Sequence, residues 1–240
     1  MSILKKNKII FKKSFEFPCS YIDGEFERRL YIDLNNSLNK DILISELTQN
    51  GFRRNQDHMY IPICQKCNLC KSSRINLKKF TFSKSNNRNL KINSDLNLVN
   101  KLNNLDSKRY DLFKKYCHIR HNESQMKSMS EKEFEIFFYF SKNKNKVYDL
   151  VDNNLTLYGS ILVDILNDGR SAVYSFFDPT EKRRGLGKNM ILKLIEKLLK
   201  ENITYLYLGY WVENCSKMNY KLKFNNVELF LNGKWVNKNS

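Results

Sequence analysis

Three stretches of this chain hold residue types whose spacing suits chemistry. In the first, Cys64, Cys67 and Cys70 are separated by two-residue gaps, which let successive sulfurs turn toward one ion or cluster. Cys19 is the natural fourth ligand, because Cys117 and Cys215 stand in helix-like, apolar contexts. Zinc and an iron–sulfur cluster both accept four thiolates, and reduced thiols packed near a turn need neither. On any of these readings the role is architectural. The second stretch is the basic turn Lys182, Arg183, Arg184, Gly185, Leu186, Gly187, Lys188. It opens an amphipathic helix, whose free N–H groups and positive dipole end suit a phosphate or another oxyanion. The third is Asp178-Pro179-Thr180, where Asp178 ends a strand. It can orient or deprotonate an amine there, or simply cap the turn.

The elements that must position these residues follow from patterning. Ala172 to Phe177 is a β-branched and aromatic run that reads as a strand, stopped by a proline with no N–H for a ladder. Met190, Ile191, Leu194, Ile195, Leu198 and Leu199 share one face of the next helix. Tyr205 to Leu208 then reads as a strand, completing a βαβ unit expected to cross over right-handed into a parallel pair. Upstream, a helix is expected over Asp41 to Gln49 near an Asn39 cap, ended by Asn50-Gly51 in left-handed geometry. Phe52 and Tyr60 flank a polar turn and suggest a hairpin feeding the cysteine motif. From Lys78 to Lys101 the chain reads as a linker, or as an edge strand through Phe80 and Phe82. Helices follow over Leu105 to His118 and Glu131 to Phe140, the latter capped by Ser130. Strands then cover Val147 to Val151 and Leu155 to Leu166. Met218 to Phe224 reads as a short helix, and Val227 to Leu231 pairs with Trp235-Val236 around Asn232-Gly233.

This order is α/β (α+β) and divides into an N-terminal domain, 1–100, carrying the cysteine motif, and a C-terminal domain, 101–240. The boundary is placed between about 95 and 130 by the change in patterning. The 240 residues carry 42 Lys and Arg against 25 Asp and Glu, a net charge of +17. An acidic partner follows, and RNA fits best, although Lys, Asn and Ile are frequent throughout. The basic start lacks the apolar core of a signal peptide, and no apolar run reaches membrane-spanning length. Six cysteines clustered in this way fit a reduced, cytoplasmic setting better than a disulfide framework.

Lys182-x-x-Gly-x-Gly resembles the signature turn of the GNAT acyltransferases. The runs CSYIDGEFERRLYID, GFRRNQDHMYIPICQKCNLCKSSRI, AVYSFFDP, YLYLGYW and CSKMNYKLKF carry more. In this order they resemble the bacterial aspartate/glutamate leucyltransferases, relatives of the arginyl-tRNA–protein transferases, from Cys19 to Trp235. The resemblance implies a GNAT-like sheet with flanking helices beside a smaller cysteine-containing domain. It implies transfer of leucine from Leu-tRNA to the N-terminal amine of proteins beginning with Asp or Glu, which marks them for degradation. The transfer itself is expected to need no cofactor, and the chain is expected to be a monomer with no membrane partner. The chain departs from the family in Arg184-Gly185-Leu186-Gly187, where Arg-Ser-Leu-Gly is usual. It departs again at Phe176-Phe177, where a Tyr is common, so no catalytic role falls on Phe177.

Aminolysis of an ester requires a neutral amine, donors for the oxyanion and a proton for the leaving ribose oxygen. Asp178 is the expected group for the amine, with Tyr174 and Tyr210 as hydroxyl donors. Arg183, Arg184 and Lys188 are expected to hold the tRNA 3′ end, and Tyr210 and Trp211 to stack on its terminal adenine or to fill the core. Arg53, Arg54 and Arg74 are expected to read the acidic acceptor side chain. Three rival readings stay open: arginine as the donated residue, an acetyl-CoA-dependent acetyltransferase, and an RNA-binding protein without catalysis.

Overall fold

The computed structural model describes residues 9–35, 39–101, 106–121, 125–139 and 143–238. In chain order the strands and α-helices are β1 (Lys12–Lys13), β2 (Phe17–Pro18), β3 (Phe26–Glu27), β4 (Arg29–Asp33), α1 (Lys40–Gln49), β5 (Arg53–Asn55), β6 (His58–Pro62) and β7 (Cys70–Asn76). Next come α2 (Lys84–Ile92), β8 (Asn97–Lys101), α3 (Ser107–Arg120), α4 (Glu131–Phe138), β9 (Asn145–Val151), β10 (Leu157–Ile165) and β11 (Gly169–Phe177). The chain closes with α5 (Leu186–Lys200), β12 (Tyr205–Val212), a 3-10 helix over Ser216–Lys223, β13 (Val227–Leu231) and β14 (Lys234–Asn237). Leu105 and Phe140, expected at helix ends, lie outside the described residues.

The chain forms two compact units, and the first is assembled from three segments rather than one continuous N-terminal stretch: Met1–Phe80, Leu166–Ser171 and Thr204–Ser240. Within it one sheet has the order β1-β4-β6-β5, with the expected β5–β6 hairpin. Further strands lie in the order β14-β13-β7-β12. The start of β11 runs parallel to β12, pairing Gly169 with Tyr205 and Ser171 with Tyr207, as the crossover rule requires. The β13–β14 hairpin turns through Asn232 and Gly233, both at positive φ. Helix α1 packs Leu43, Ile44 and Leu47 against Ile32, Met59, Leu166 and Tyr207. Gly51, at φ +86°, ends that helix region in left-handed geometry, whereas Asn50 does not.

The second unit comprises Thr81–Ile165 and Ala172–Ile203, with strand order β11-β10-β9-β8. Helices α3 and α4 bring Leu112, Phe113, Phe134 and Phe138 onto Val147, Leu162 and Phe176. Ser130 and Glu133 close a capping box on α4. Helix α5 buries Leu186, Met190, Ile191, Leu194, Ile195 and Leu198; at about 1.5–3 kcal/mol per large apolar side chain, this face is the unit's main anchor on that side.

Helix α2 corrects the expectation of a linker or edge strand over Lys78 to Lys101. Ser83 accepts a hydrogen bond from the Asn86 backbone and starts the helix. Its inward residues are asparagines (Asn86 and Asn93 are fully buried), so no apolar period marked it. The expected helix over Met218 to Phe224 is a 3-10 helix.

Candidate functional site

In the first unit the end of β2, the start of β7 and the loop between β6 and β7 bring the cysteines near one another. The Cys70 thiol is pushed up to about 12, first by burial and then by its neighbours Glu27, Cys19, Cys64 and Cys67. Burial also raises Cys64, whose Sγ donates to the Arg28 carbonyl at 3.9 Å. The Tyr21 amide donates to Cys19 Sγ at 3.5 Å. All four are free thiols, half-buried. Four sulfurs suit a soft metal by donor type. However, no group of three or more His, Cys, Asp or Glu among the described residues is arranged to hold an ion. The residues do not form a closed ligand set, and no step of the chemistry is derived through one.

Beside this group, β5 and β12 build a cationic cluster. The strand pairing of β12 with β7 shifts register between Tyr207 and Gly209, and Gly209 takes φ +71°. Without a side chain there, Arg53 lies across the strand. Its Nη1 donates to the Tyr21 hydroxyl at 3.4 Å. Burial pulls its ionisation down, but Tyr60, Tyr21, Tyr210 and Tyr220 around it outweigh that, so the guanidinium stays charged. Lys221, from the 3-10 helix, is 3% exposed and donates through Nζ to the Tyr210 carbonyl. Burial and the positive Arg53 hold it well below the usual lysine range.

The other two acceptor-acid candidates are committed elsewhere, which corrects the expectation that all three arginines read one ligand. Arg54 faces away from Arg53 on alternating β5, is buried, and donates to the Gln56 carbonyl at 2.9 Å. Arg74 donates to Glu228 at 2.7 Å and to the Tyr207 hydroxyl at 3.1 Å. Its guanidinium sits 3.6 Å from the Tyr205 ring centre and 4.3 Å from that of Trp235. Its carboxylate is already supplied from within the fold.

Tyr210 is fully buried and donates to the Tyr60 carbonyl at 2.8 Å and the Gly51 carbonyl at 3.2 Å. It is a core residue, so the expected stacking on adenine and hydroxyl donation to substrate do not fit it. Trp211 points to the other face, is half-buried, and its Nε1 finds no hydrogen-bond partner among the described residues. It keeps the stacking role open.

In the second unit Asp178 follows β11. Its Oδ1 accepts from the Thr180 amide at 2.9 Å and hydroxyl at 2.6 Å, and its Oδ2 from Lys115 at 2.9 Å. Burial raises its carboxyl, but the bonds from Thr180 and Lys115 more than offset this and hold it below the usual range. Oδ1 caps the turn and Oδ2 is paired with Lys115, an arrangement unsuited to accepting a proton. Tyr174 packs against Phe113, Phe137 and Phe176, its hydroxyl 3.8 Å from the Met126 sulfur. That apolar setting is a packing role rather than the expected donor site.

The basic turn at the head of α5 is held by α2. Gly185 is left-handed at φ +60° and caps the helix. Asn89 donates to the Arg184 carbonyl at 3.0 Å and Asn93 to the same oxygen at 2.9 Å. Arg184 in turn donates to Asn93 Oδ1 and pairs with Asp95, and Lys188 donates to Ser85. Arg183 and Lys182 are exposed. The sequence expectations include the helix that carries Lys221 but neither its burial nor this asparagine clasp, since α2 has no apolar period.

The family model described as "Arginine-tRNA-protein transferase, N terminus" matches residues 17–88, and "Arginine-tRNA-protein transferase, C terminus" matches 108–231. The chain belongs to the arginine-tRNA-protein transferase family. It is similar to the "Aspartate/glutamate leucyltransferase" of Saccharophagus degradans, 36% identical over 220 residues, 91% of this chain and 92% of that one. The relative of the same name from Pseudomonas fluorescens is 35% identical over 222 residues, covering 92% and 93%. Among solved structures FemX overlays with a TM-score of 0.50 at 8% identity, covering 79% of this chain and 65% of its own. That likeness concerns the fold alone. The chain is thus an aminoacyltransferase of this family, on a mixed α/β fold. No helix among the described residues is long and apolar enough to cross a membrane.

Proposed function

We propose that this chain takes leucine from Leu-tRNA and joins it to the N-terminal amine of proteins beginning with aspartate or glutamate, marking them for degradation. The observation that carries this reading is the near full-length match to relatives named for that transfer. The neutral α-amine attacks the aminoacyl ester carbonyl and loses a proton. The C–O bond to the ribose breaks, its oxygen takes up a proton, and an amide remains. An α-amine with an ordinary pKa of about 7.7–8.0 is partly neutral near pH 7. The acidic acceptor side chain calls for a cation, and Arg53 is the candidate whose setting supports it. Lys182 and Arg183, exposed at the head of α5, are suited to tRNA phosphate. The transfer draws on no cofactor, and the cysteine group is architectural; metal analysis of the purified protein tests for an occupant there.

The test is a transfer assay with labelled Leu-tRNA or Arg-tRNA and peptides beginning with Asp, Glu, Lys or Ala. Leucine on the Asp and Glu peptides alone is the expected result. Arginine on those peptides would overturn the donor and keep the class. Bound tRNA with no label on any peptide would overturn the catalytic reading.

A further inference from the structure

We infer that Lys221 is the second cation of a carboxylate pocket, standing with Arg53 to take the side chain of an acidic N-terminal residue. This rests on the acceptor assignment proposed above and adds a residue that the motifs did not single out for it. The Ser216–Lys223 segment carries Lys221 into the interior, 3% exposed. Among the described residues the ionisable groups that face it are Arg53 and the Cys215 thiol, with the Tyr220 ring 6.0 Å from Nζ. None is a carboxylate. An ammonium has three donors, and the Tyr210 carbonyl takes one of them.

A buried amine beside a half-buried guanidinium is a costly arrangement, and the fold relieves it by disfavouring the charged form of Lys221. A methionine of similar length would fill the same volume without that cost, so packing alone does not account for an amine here. A carboxylate entering the cluster removes the conflict, since it accepts from both cations and lets Lys221 take up a proton. A neutral amide side chain offers no such compensation. The cluster also reaches the surface: Arg53 is half-buried, and Tyr220 beside it is 42% exposed. The pocket therefore separates Asp and Glu from Asn and Gln by charge, and binding of the acid is linked to proton uptake.

Calorimetric titration of the full chain tests this, with Asp- and Asn-initiated peptides, no tRNA present, and two buffers of different ionisation enthalpy near neutral pH. The wild type is expected to take up more protons with the Asp peptide than with the Asn peptide, and Lys221→Met to lose that difference. In the transfer assay Lys221→Met is expected to reduce the Asp-over-Asn ratio of kcat/KM about tenfold. An equal fall for both peptides, or the same proton difference in Lys221→Met, overturns the role of Lys221. If that variant does not fold, a wild type that binds the Asp peptide without extra proton uptake overturns it instead. A wild type that fails to prefer Asp over Asn at all overturns the acceptor assignment itself.

Discussion

Gly209 and Arg53 touch across the bulged part of β12: a Cβ on Gly209 would lie 3.2 Å from Arg53 Nε and 3.3 Å from its Cδ. Gly209→Ala therefore displaces the guanidinium and also strains a backbone at φ +71°. We expect a KM for Asp-initiated peptides raised about tenfold, with stability lowered by about 1 kcal/mol. Steady-state kinetics and chemical denaturation separate the two. An unchanged KM would mean the glycine serves the bulge alone.

Arg74 is held by Glu228, Tyr207 and two aromatic rings. Removing one partner of such a pair costs about 3–5 kcal/mol, because the other charge is left buried. Arg74→Met should lower the denaturation midpoint sharply. The Asp-over-Asn preference of the remaining folded protein should not move. A selective loss of that preference would restore Arg74 as a ligand-reading residue.

Asp178→Asn keeps the shape of the turn but weakens the Lys115 pair and the bonds from Thr180. A loss of about 1 kcal/mol is expected, with the transfer rate within about twofold. Single-turnover rates decide. A large fall in rate at unchanged stability would return proton transfer to Asp178.

Arg183 is exposed, whereas Arg184 is tied to Asn93 and Asp95. Arg183→Ala should reduce the dependence of log tRNA affinity on log salt by about one contact's worth. Arg184→Ala should act mainly on thermal stability, by loosening the clasp on α5. Binding measured across a salt series, beside melting curves, distinguishes these outcomes.

His58 is held below its usual range by burial first and then by Arg29, against the opposing pull of Asp33 and Asp57. Its folded form binds a proton more weakly than its unfolded form. Between the folded value and about 6.5 the unfolded chain thus binds more protons, and stability rises with pH across that window. Denaturation midpoints should climb there and flatten in His58→Gln. An unchanged slope in the variant would assign the effect to other groups.

The βαβ run from Ala172 to Leu208 was legible because each part carries its own local sign: β-branched residues, proline, glycine, then an apolar helical face. The β5–β6 and β13–β14 hairpins were legible for the same reason. Helix α2 was not, since its inward face is asparagine and its partners are the carbonyl of Arg184 and the side chain of Asn189. The arginines show the limit at the site. Arg53, Arg54 and Arg74 look alike as residue types, and only the alternation of β5 and the nearness of Glu228 separate one ligand-facing candidate from two internal ties. Lys221 was hidden because nothing local marks a lysine as buried.

Strand β7 lies between β12 and β13, both contributed by the last segment of the first unit. Ser73 donates to the carbonyl of Gly209 across 136 residues of chain. On the ribosome β7 therefore emerges long before either neighbour exists, with both edges unpaired. The second unit has its own segments complete once Ile203 is out, so it can settle first. Loop-closure cost makes the distant pairing slow, and the waiting edges are open to pairing with another nascent chain. The order of synthesis thus makes the cysteine-bearing unit the last to mature and the part most exposed to chaperone or protease.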